Sequence, residues 1–506
     1  MRVHLMHPDC DLDLSAVPPV NATDLRQDLG LEHIVAAAAR GDQFLWDVTD
    51  QALLHPLTDP ARVLYRQHAL SDCLWHPQML RDLYAVTVEA VNAERAVHRA
   101  WFLSTDRPDT RLSRAVSVLD LLVDFLRRLR TLGEQNRDTI ASPAFTSLFT
   151  MFATELSEDY LASITEHLRL LHLRDGSPMA VRIGPGNRVE DYRLLRPERA
   201  RTRWVELLPT RARTSYSFEI PARDESGLAA LAAMRDAGLT ASADVLVASA
   251  THVLNFFRQL RAELAFYVGA LNLHERLTEL GLPTSFPHVH PDRSAPLSFT
   301  GLYDLGLALR TETRPVGNDL RPGTHALLVI TGANSGGKST FLRSIGIAQL
   351  LAQAGMGVPA EAMDLDLHSA VFTHFRREED ATMTSGKLDE ELLRMSAIAD
   401  AMEPGALMLF NESFASTYER EGSEIARDIV HALLDRAVRV VYVTHMYDLA
   451  QGFTAEHRAD ITSLRAERQT DGTRTFRIVE QAPLPTSYGA DLYDRVFGAA
   501  DHPAAG

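Results

Sequence analysis

Cysteine is nearly absent: Cys10 and Cys73 are the only two in 506 residues. They form no CxxC pair and no zinc-ligand spacing, so nothing points to a disulfide framework, and a reducing, cytoplasmic setting is expected. Long apolar runs are missing too. None reaches the roughly 18 residues that a membrane helix needs, so no membrane is expected as a partner. The segment Met1–Val20 carries acids and prolines in place of a basic start and an apolar core, which is not the pattern of a signal peptide. Net positive charge is also lacking. A formal charge of −16 argues against a protein that coats nucleic acid indiscriminately. No internal repeat and no low-complexity tract occurs.

A hydrophobic fraction of 45% and a charged fraction of 23% are those of a globular chain. At about 150 residues per domain, the length suggests roughly three units. Residues 27–177 read as helical. Leu112, Val116, Leu119, Val123 and Leu126 form one apolar stripe, and Phe145, Leu148, Phe152, Leu156, Tyr160, Ile164, Leu168 and Leu171 form a second. Gly176-Ser177-Pro178 stops the pattern. Residues 178–225 hold short β-type segments (Ala180–Ile183, Tyr192–Leu195, Trp204–Leu208, Tyr216–Ile220) between Arg-rich turns. From Pro178 to Pro221 nine arginines face five acids. This local positive excess suits either a polyanion contact or a solvated surface paired with acids elsewhere. Helix resumes near Ser226. Leu246, Ala250, Val253, Phe257, Leu260, Leu264, Tyr267 and Leu271 alternate steps of four and three, a heptad-like seam. Gly281 to Leu297, with four prolines, reads as a linker, so the returning helix and its linker occupy 226–296.

Beyond residue 297 the chain turns α/β, with apolar strands at Leu327–Thr331, Ala406–Phe410 and Val438–Thr444 separated by helical stretches. That alternation predicts a mostly parallel sheet with covering helices. Between the first strand and its helix lies Gly332-Ala333-Asn334-Ser335-Gly336-Gly337-Lys338-Ser339-Thr340, a complete P-loop. Its glycines let the backbone aim N–H groups inward, Lys338 can reach the β and γ phosphates, and the Ser339 hydroxyl can ligate Mg²⁺. The helix starting near Lys338 points its positive end at the phosphates. ATP and Mg²⁺ are the expected ligands. The second strand ends in Asn411-Glu412. Asn411 takes the place of the usual Walker B Asp and offers Mg²⁺ a neutral oxygen. Glu412 is the candidate general base or water-orienting carboxylate. His445 leaves the third strand at the same sheet edge and is the candidate γ-phosphate sensor.

The P-loop, Asn411-Glu412-Ser413-Phe414-Ala415-Ser416-Thr417, Thr444-His445-Met446-Tyr447-Asp448-Leu449 and Ser487-Tyr488-Gly489 together resemble the MutS family of mismatch-repair ATPases in order and spacing over 297–497. A weaker resemblance covers 27–280, carried by Leu53-Leu54-His55-Pro56-Leu57-Thr58-Asp59, Arg66-Gln67 and the long heptad helix. The implied architecture is multidomain. After an N-terminal extension (1–26), an all-α helical core and lever carry a small β-rich insertion, followed by an α/β, ABC-type P-loop ATPase domain. The resemblance gives Asn334, Lys338 and Ser339 to phosphate and Mg²⁺, with Asn411 also at the metal. It gives Ser385, Gly386, Ser416 and Thr417 to the partner subunit of a homodimer. The β-rich stretch sits where the family has its DNA clamp, with Arg199, Arg201, Arg203, Arg211 and Arg213 as contacts to the DNA backbone.

The family's mismatch-reading and connector domains find no room before residue 27 on this reading, so mismatch reading is not expected. The C-terminal dimer helices are expected to be largely missing. Pro315 falls where relatives place an adenine-stacking aromatic. The expected function is an ATP-binding and ATP-hydrolysing protein that couples nucleotide-driven dimer closure to DNA binding. Two alternatives stay open: a nucleotide-switched scaffold engaging RNA, a ribosome or a protein, and a binder that traps ATP because Asn411 weakens the use of Mg²⁺.

Overall fold

Four helices open the chain, α1 (Ala22–Leu29), α2 (Leu31–Ala39), α3 (Gln43–Leu54) and α4 (Pro60–Trp75). Gly30, at φ 63°, breaks α1 from α2. Asp59 caps α4 by accepting from Ala61 N, with Pro60 in the first turn where its missing N–H costs nothing. Next come α5 (Pro77–Ala100), α6 (Pro108–Asn136), α7 (Pro143–Glu155) and α8 (Glu158–Leu171). A hairpin of β1 (Met179–Ile183) and β2 (Val189–Leu194) precedes the 55-residue helix α9 (Glu225–Glu279). The remainder alternates: β3 (His288–His290), β4 (Leu297–Leu302), α10 (Leu305–Thr311), β5 (Asn318–Gly323), β6 (Leu327–Thr331), α11 (Lys338–Ala354), β7 (Ala362–Asp366) and β8 (Val371–Phe375). It closes with α12 (Lys387–Ala401), β9 (Leu407–Asn411), α13 (Glu419–Asp435), β10 (Arg439–Val443), α14 (Tyr447–Ala455), β11 (Ile461–Arg468) and β12 (Arg474–Glu480).

This computed structural model describes residues 1–100, 107–172, 179–183, 185, 189–194, 221, 223–290, 296–377, 386–469 and 473–485. Trp204–Leu208, Tyr216–Ile220, the five candidate DNA-contact arginines, Ser385 and Ser487–Gly489 lie outside the described residues. Contacts divide the chain into two units. The first holds Met1–Val3, Gln78–Ile140 and Phe145–Arg261. The second holds His4–Pro77, Ala141–Ala144 and Ala262–Gly506, so the division cuts α9.

In the first unit, the stripe Leu112 to Leu126 is buried as its spacing predicts. The second stripe is not continuous. It breaks after Leu156, where the Ser157 hydroxyl accepts from Tyr160 N and starts α8 afresh. That restart leaves Tyr160 54% exposed and turns Leu161 inward instead. Phe257 packs edge-on against Phe125, and Phe256 against Phe152, tying α9 to α6 and α7. Arg111 adds an ion pair to Asp244 at 2.6 Å. One 18-residue window of α9 reaches a mean hydropathy of 1.3, and 28% of it is buried. By length and composition alone that window could cross a membrane, which corrects the expectation that no such stretch exists. Small residues between the seam positions, and few charges, produce the value.

In the second unit, α9 is buried on all sides from Ala262 to Leu273, so the one-sided seam gives way to a fully enclosed helix. The N-terminal segment is no free extension. Leu5 and Met6 are buried, and their N–H groups donate to the Glu263 carboxylate at 2.6 and 3.0 Å. Six strands form one sheet in the order β12-β11-β6-β10-β9-β8, parallel except for the β11–β12 hairpin. Four more form a second sheet, β3-β7-β4-β5. Part of the expected linker therefore becomes an edge strand: β3 pairs with β7 in parallel while Pro287 and Pro291 flank it. The Leu57 peptide docks on the end of α11, exchanging bonds with Gln353 at 3.0 Å through its N–H and 2.7 Å through its carbonyl.

Candidate nucleotide-binding site

Strand β6 is five buried apolar-to-threonine residues in mid-sheet, which fixes the point where the P-loop leaves. Gly332 leaves it at φ 117°, where an added Cβ would come 2.9 Å from Ala466 N. Ser335 (φ 59°) and Gly337 (φ 91°) complete the turn in the left-handed region. Gly337 caps α11 without a side-chain acceptor. The first amide groups of α11 are thus presented to the cavity, the arrangement that suits an anion. Lys338 is 5% exposed, and its Nζ donates to the Gly332 and Ala333 carbonyls at 3.0 and 3.1 Å. Burial pushes its ammonium below the ordinary value, Glu412 opposes this, and Arg474 reinforces it.

The parallel register of β6, β9 and β10 brings three separate sequence positions to one sheet edge. Ser339 Oγ donates to Asn411 Oδ1 at 2.9 Å. Glu412 follows at φ 56°, its N–H bonded to the Val443 carbonyl. A non-glycine residue there carries strain. His445 Nδ1 lies 4.0 Å from Glu412 Oε1, both side chains being partly exposed. The donor set for Mg²⁺, a hydroxyl and an amide oxygen beside one carboxylate, fits a cation that keeps much of its water.

The loop after Glu412 is anchored from below. Glu391, 7% exposed, accepts from Phe414 N at 2.7 Å and from Ser416 Oγ at 3.1 Å. Ser413 Oγ donates to the His374 carbonyl, and Tyr442 OH donates to the Ser413 carbonyl at 2.8 Å. The His374 ring stacks on Phe414, and burial lowers its pKa to about 3. Thr417 Oγ1 donates to Glu421 within the same chain. Gly386 stands apart, as the N-cap of α12.

A cavity of about 620 Å³ opens beside the P-loop, and its wall includes Asn334 to Thr340 and Glu412. Pro315 and Val316 stand in that wall, as do Tyr303, Arg314 and Phe476. Sequence patterns had no hold on the last three, nor on Arg474. Phe476, 49% exposed at φ 58°, offers an aromatic face where Pro315 does not. Its signal was the single aromatic of the edge strand β12.

A family model for the MutS2 N-terminal domain matches residues 58–280, and one for MutS domain V matches 328–499. The DNA mismatch repair protein MutS of Thermus aquaticus is 32% identical over 184 residues, 36% of this chain and 22% of that protein. The DNA mismatch repair protein MutS 2 of Haloarcula marismortui is 30% identical over 176 residues, 35% of this chain and 18% of that protein. Endonuclease MutS2 of Carboxydothermus hydrogenoformans is 30% identical over 145 residues, 28% and 19% of the two chains. Each match thus spans about a fifth of the relative's length. With both family models aligned in order along a P-loop sheet and the helices before it, the chain belongs to the MutS family.

Proposed function

We propose that the chain binds ATP with Mg²⁺ in the cavity around Gly332–Thr340, hydrolyses it, and couples that cycle to DNA binding through closure of a homodimer. The observation that carries this reading is the 2.9 Å bond from Ser339 Oγ to Asn411 Oδ1, with Glu412 next in sequence and His445 beside it. Amide groups at the start of α11 would cradle the phosphates, and Lys338 would exchange its two carbonyl partners for phosphate oxygens. Ser339 and Asn411 would hold Mg²⁺, which supplies neutralisation of phosphate charge. Glu412 orients the attacking water, and His445 responds to the γ-phosphate. The base would rest against Pro315 and Val316 on one side, with Phe476 as the available aromatic.

Gly386, Ser416 and Thr417, together with Ser385, form the proposed partner-facing edge. The arginines at 199, 201, 203, 211 and 213 are the proposed contacts to DNA phosphates. Relatives named for DNA mismatch repair support DNA as the polymer. Two measurements test the proposal. Mg²⁺-dependent ATP turnover of the full chain should fall about 10²–10⁴-fold in Glu412→Gln. Duplex DNA affinity should drop steeply with salt, with a shallower slope after Arg→Ala at 199, 201 and 203. Turnover unchanged in Glu412→Gln, or binding indifferent to salt, contradicts it.

A further inference from the structure

Three adjacent strands of the four-stranded sheet bring together a group of side chains that the nucleotide site does not use. His288 and His290 alternate on β3, so both rings fall on one face. Asp364 on β7 is the register partner of His288. Ser298 on β4 is the register partner of Asp364 on its other side. His288 Nδ1 lies 3.1 Å from His290 Nε2 and 3.2 Å from Asp364 Oδ1, and His290 Nε2 lies 3.3 Å from the same oxygen. The two rings are perpendicular, with centroids 4.3 Å apart.

We infer that His288, His290 and Asp364 form a site for a divalent late first-row metal ion, Zn²⁺ in the first place, independent of the nucleotide cavity. Each ring nitrogen in this triangle carries either a proton or a lone pair. Two N–H groups aimed at Asp364 leave the nitrogens facing each other proton to proton, and removing one proton leaves a lone pair facing the carboxylate. A cation on the axis of the triangle satisfies all three atoms at once. Its size fits. A tetrahedral ion with bonds of about 2.0–2.1 Å sets its ligand atoms about 3.3–3.4 Å apart, against 3.1, 3.2 and 3.3 Å here. Two imidazoles and one carboxylate select zinc-like ions over Mg²⁺ or Ca²⁺, which prefer all-oxygen shells.

The outer contacts agree. Ser298 Oγ donates to Asp364 Oδ2 at 3.3 Å, which holds that oxygen aside and leaves Oδ1 turned to the histidines. His288 is 69% exposed on its side chain and His290 25%, so an ion has a path in and a solvent-facing fourth position. Among the described residues β3 pairs only with β7, through three residues, and it follows the end of α9 by nine residues. The ion is a cross-strand clasp on the segment that joins α9 to the sheets.

The test uses the full chain stripped with chelator and titrated with Co²⁺ in excess Mg²⁺, which keeps the nucleotide site from reporting. The expected result is the intense visible absorption of four-coordinate Co²⁺, saturating at one ion per chain and displaced by Zn²⁺. His290→Ala and Asp364→Asn should each weaken binding at least about tenfold. His288→Ala, at a position exposed enough not to disturb folding, should do the same with an unchanged far-ultraviolet circular dichroism spectrum. Absence of saturable Co²⁺ binding by the unaltered chain overturns the proposal. So does binding that survives all three substitutions unchanged.

Discussion

Asn411→Asp places a negative charge at the end of β9 proposed to face Mg²⁺, and its effect can be worked from the Ser339 contact. Ser339 Oγ and Asn411 Oδ1 are 2.9 Å apart. An ion taking Ser339 at about 2.1 Å would lie roughly 4 Å from the oxygen at position 411, which would hold it through a bound water. A unit charge against a divalent ion at that distance is worth about 2 kcal/mol in water and several times more at a lower effective dielectric. Asn411 is only partly buried, so the water limit is the safer figure. Two kcal/mol corresponds to about thirtyfold in affinity. Part of that gain is lost because the new carboxylate also strengthens its bond to the Ser339 hydroxyl in the metal-free state. The half-saturating Mg²⁺ concentration, measured by titration at fixed ATP, should therefore fall at least about tenfold. A shift of less than threefold, or an increase, would refute the placement of residue 411 beside the metal.

Two further outcomes concern the scaffold of the site. Glu391→Ala removes the acceptor of the buried Phe414 N–H and of Ser416 Oγ. It should cost about 3 kcal/mol in denaturant unfolding, with Glu391→Gln recovering part of the loss. His374 has an ordinary value of 6.5 and a folded value of about 3. The unfolded chain therefore binds more protons between these values. The stability that His374 contributes is fully present above pH 6.5 and is lost as pH falls towards 3, at up to about 1.4 kcal/mol per pH unit. Urea midpoints recorded from pH 7 to pH 4 should fall on that slope, and a flat profile would contradict the buried neutral imidazole.

The nucleotide site was legible where its chemistry is local. Gly332 to Thr340 lie within one turn, and their spacing alone states what the backbone must do. Asn411, Glu412 and His445 were legible because each ends an apolar strand, and parallel register carries such ends to one edge. Phe476 and Tyr303 reach the cavity, and the Arg474 charge reaches Lys338, only through sheet order, which no periodicity encodes. The same limit applies to β3. Prolines at 283, 287, 291 and 296 mark a linker by composition, yet three residues between two of them pair with β7. β7 and β8 went unassigned beside the P-loop helix, their strand character being plain only once β9 and β4 pair with them. Tyr160 sits in register with an apolar stripe but is exposed, because a capping serine restarts the helix at a different phase.

Nucleotide binding at the P-loop is the claim on which the rest depends, and equilibrium titration with labelled ATP tests it most directly. The unaltered chain should saturate at one nucleotide per chain, and Lys338→Ala, which removes the buried ammonium proposed to meet the phosphates, should weaken binding at least about tenfold. No saturable binding by the unaltered chain, or equal affinity in Lys338→Ala, would contradict the account.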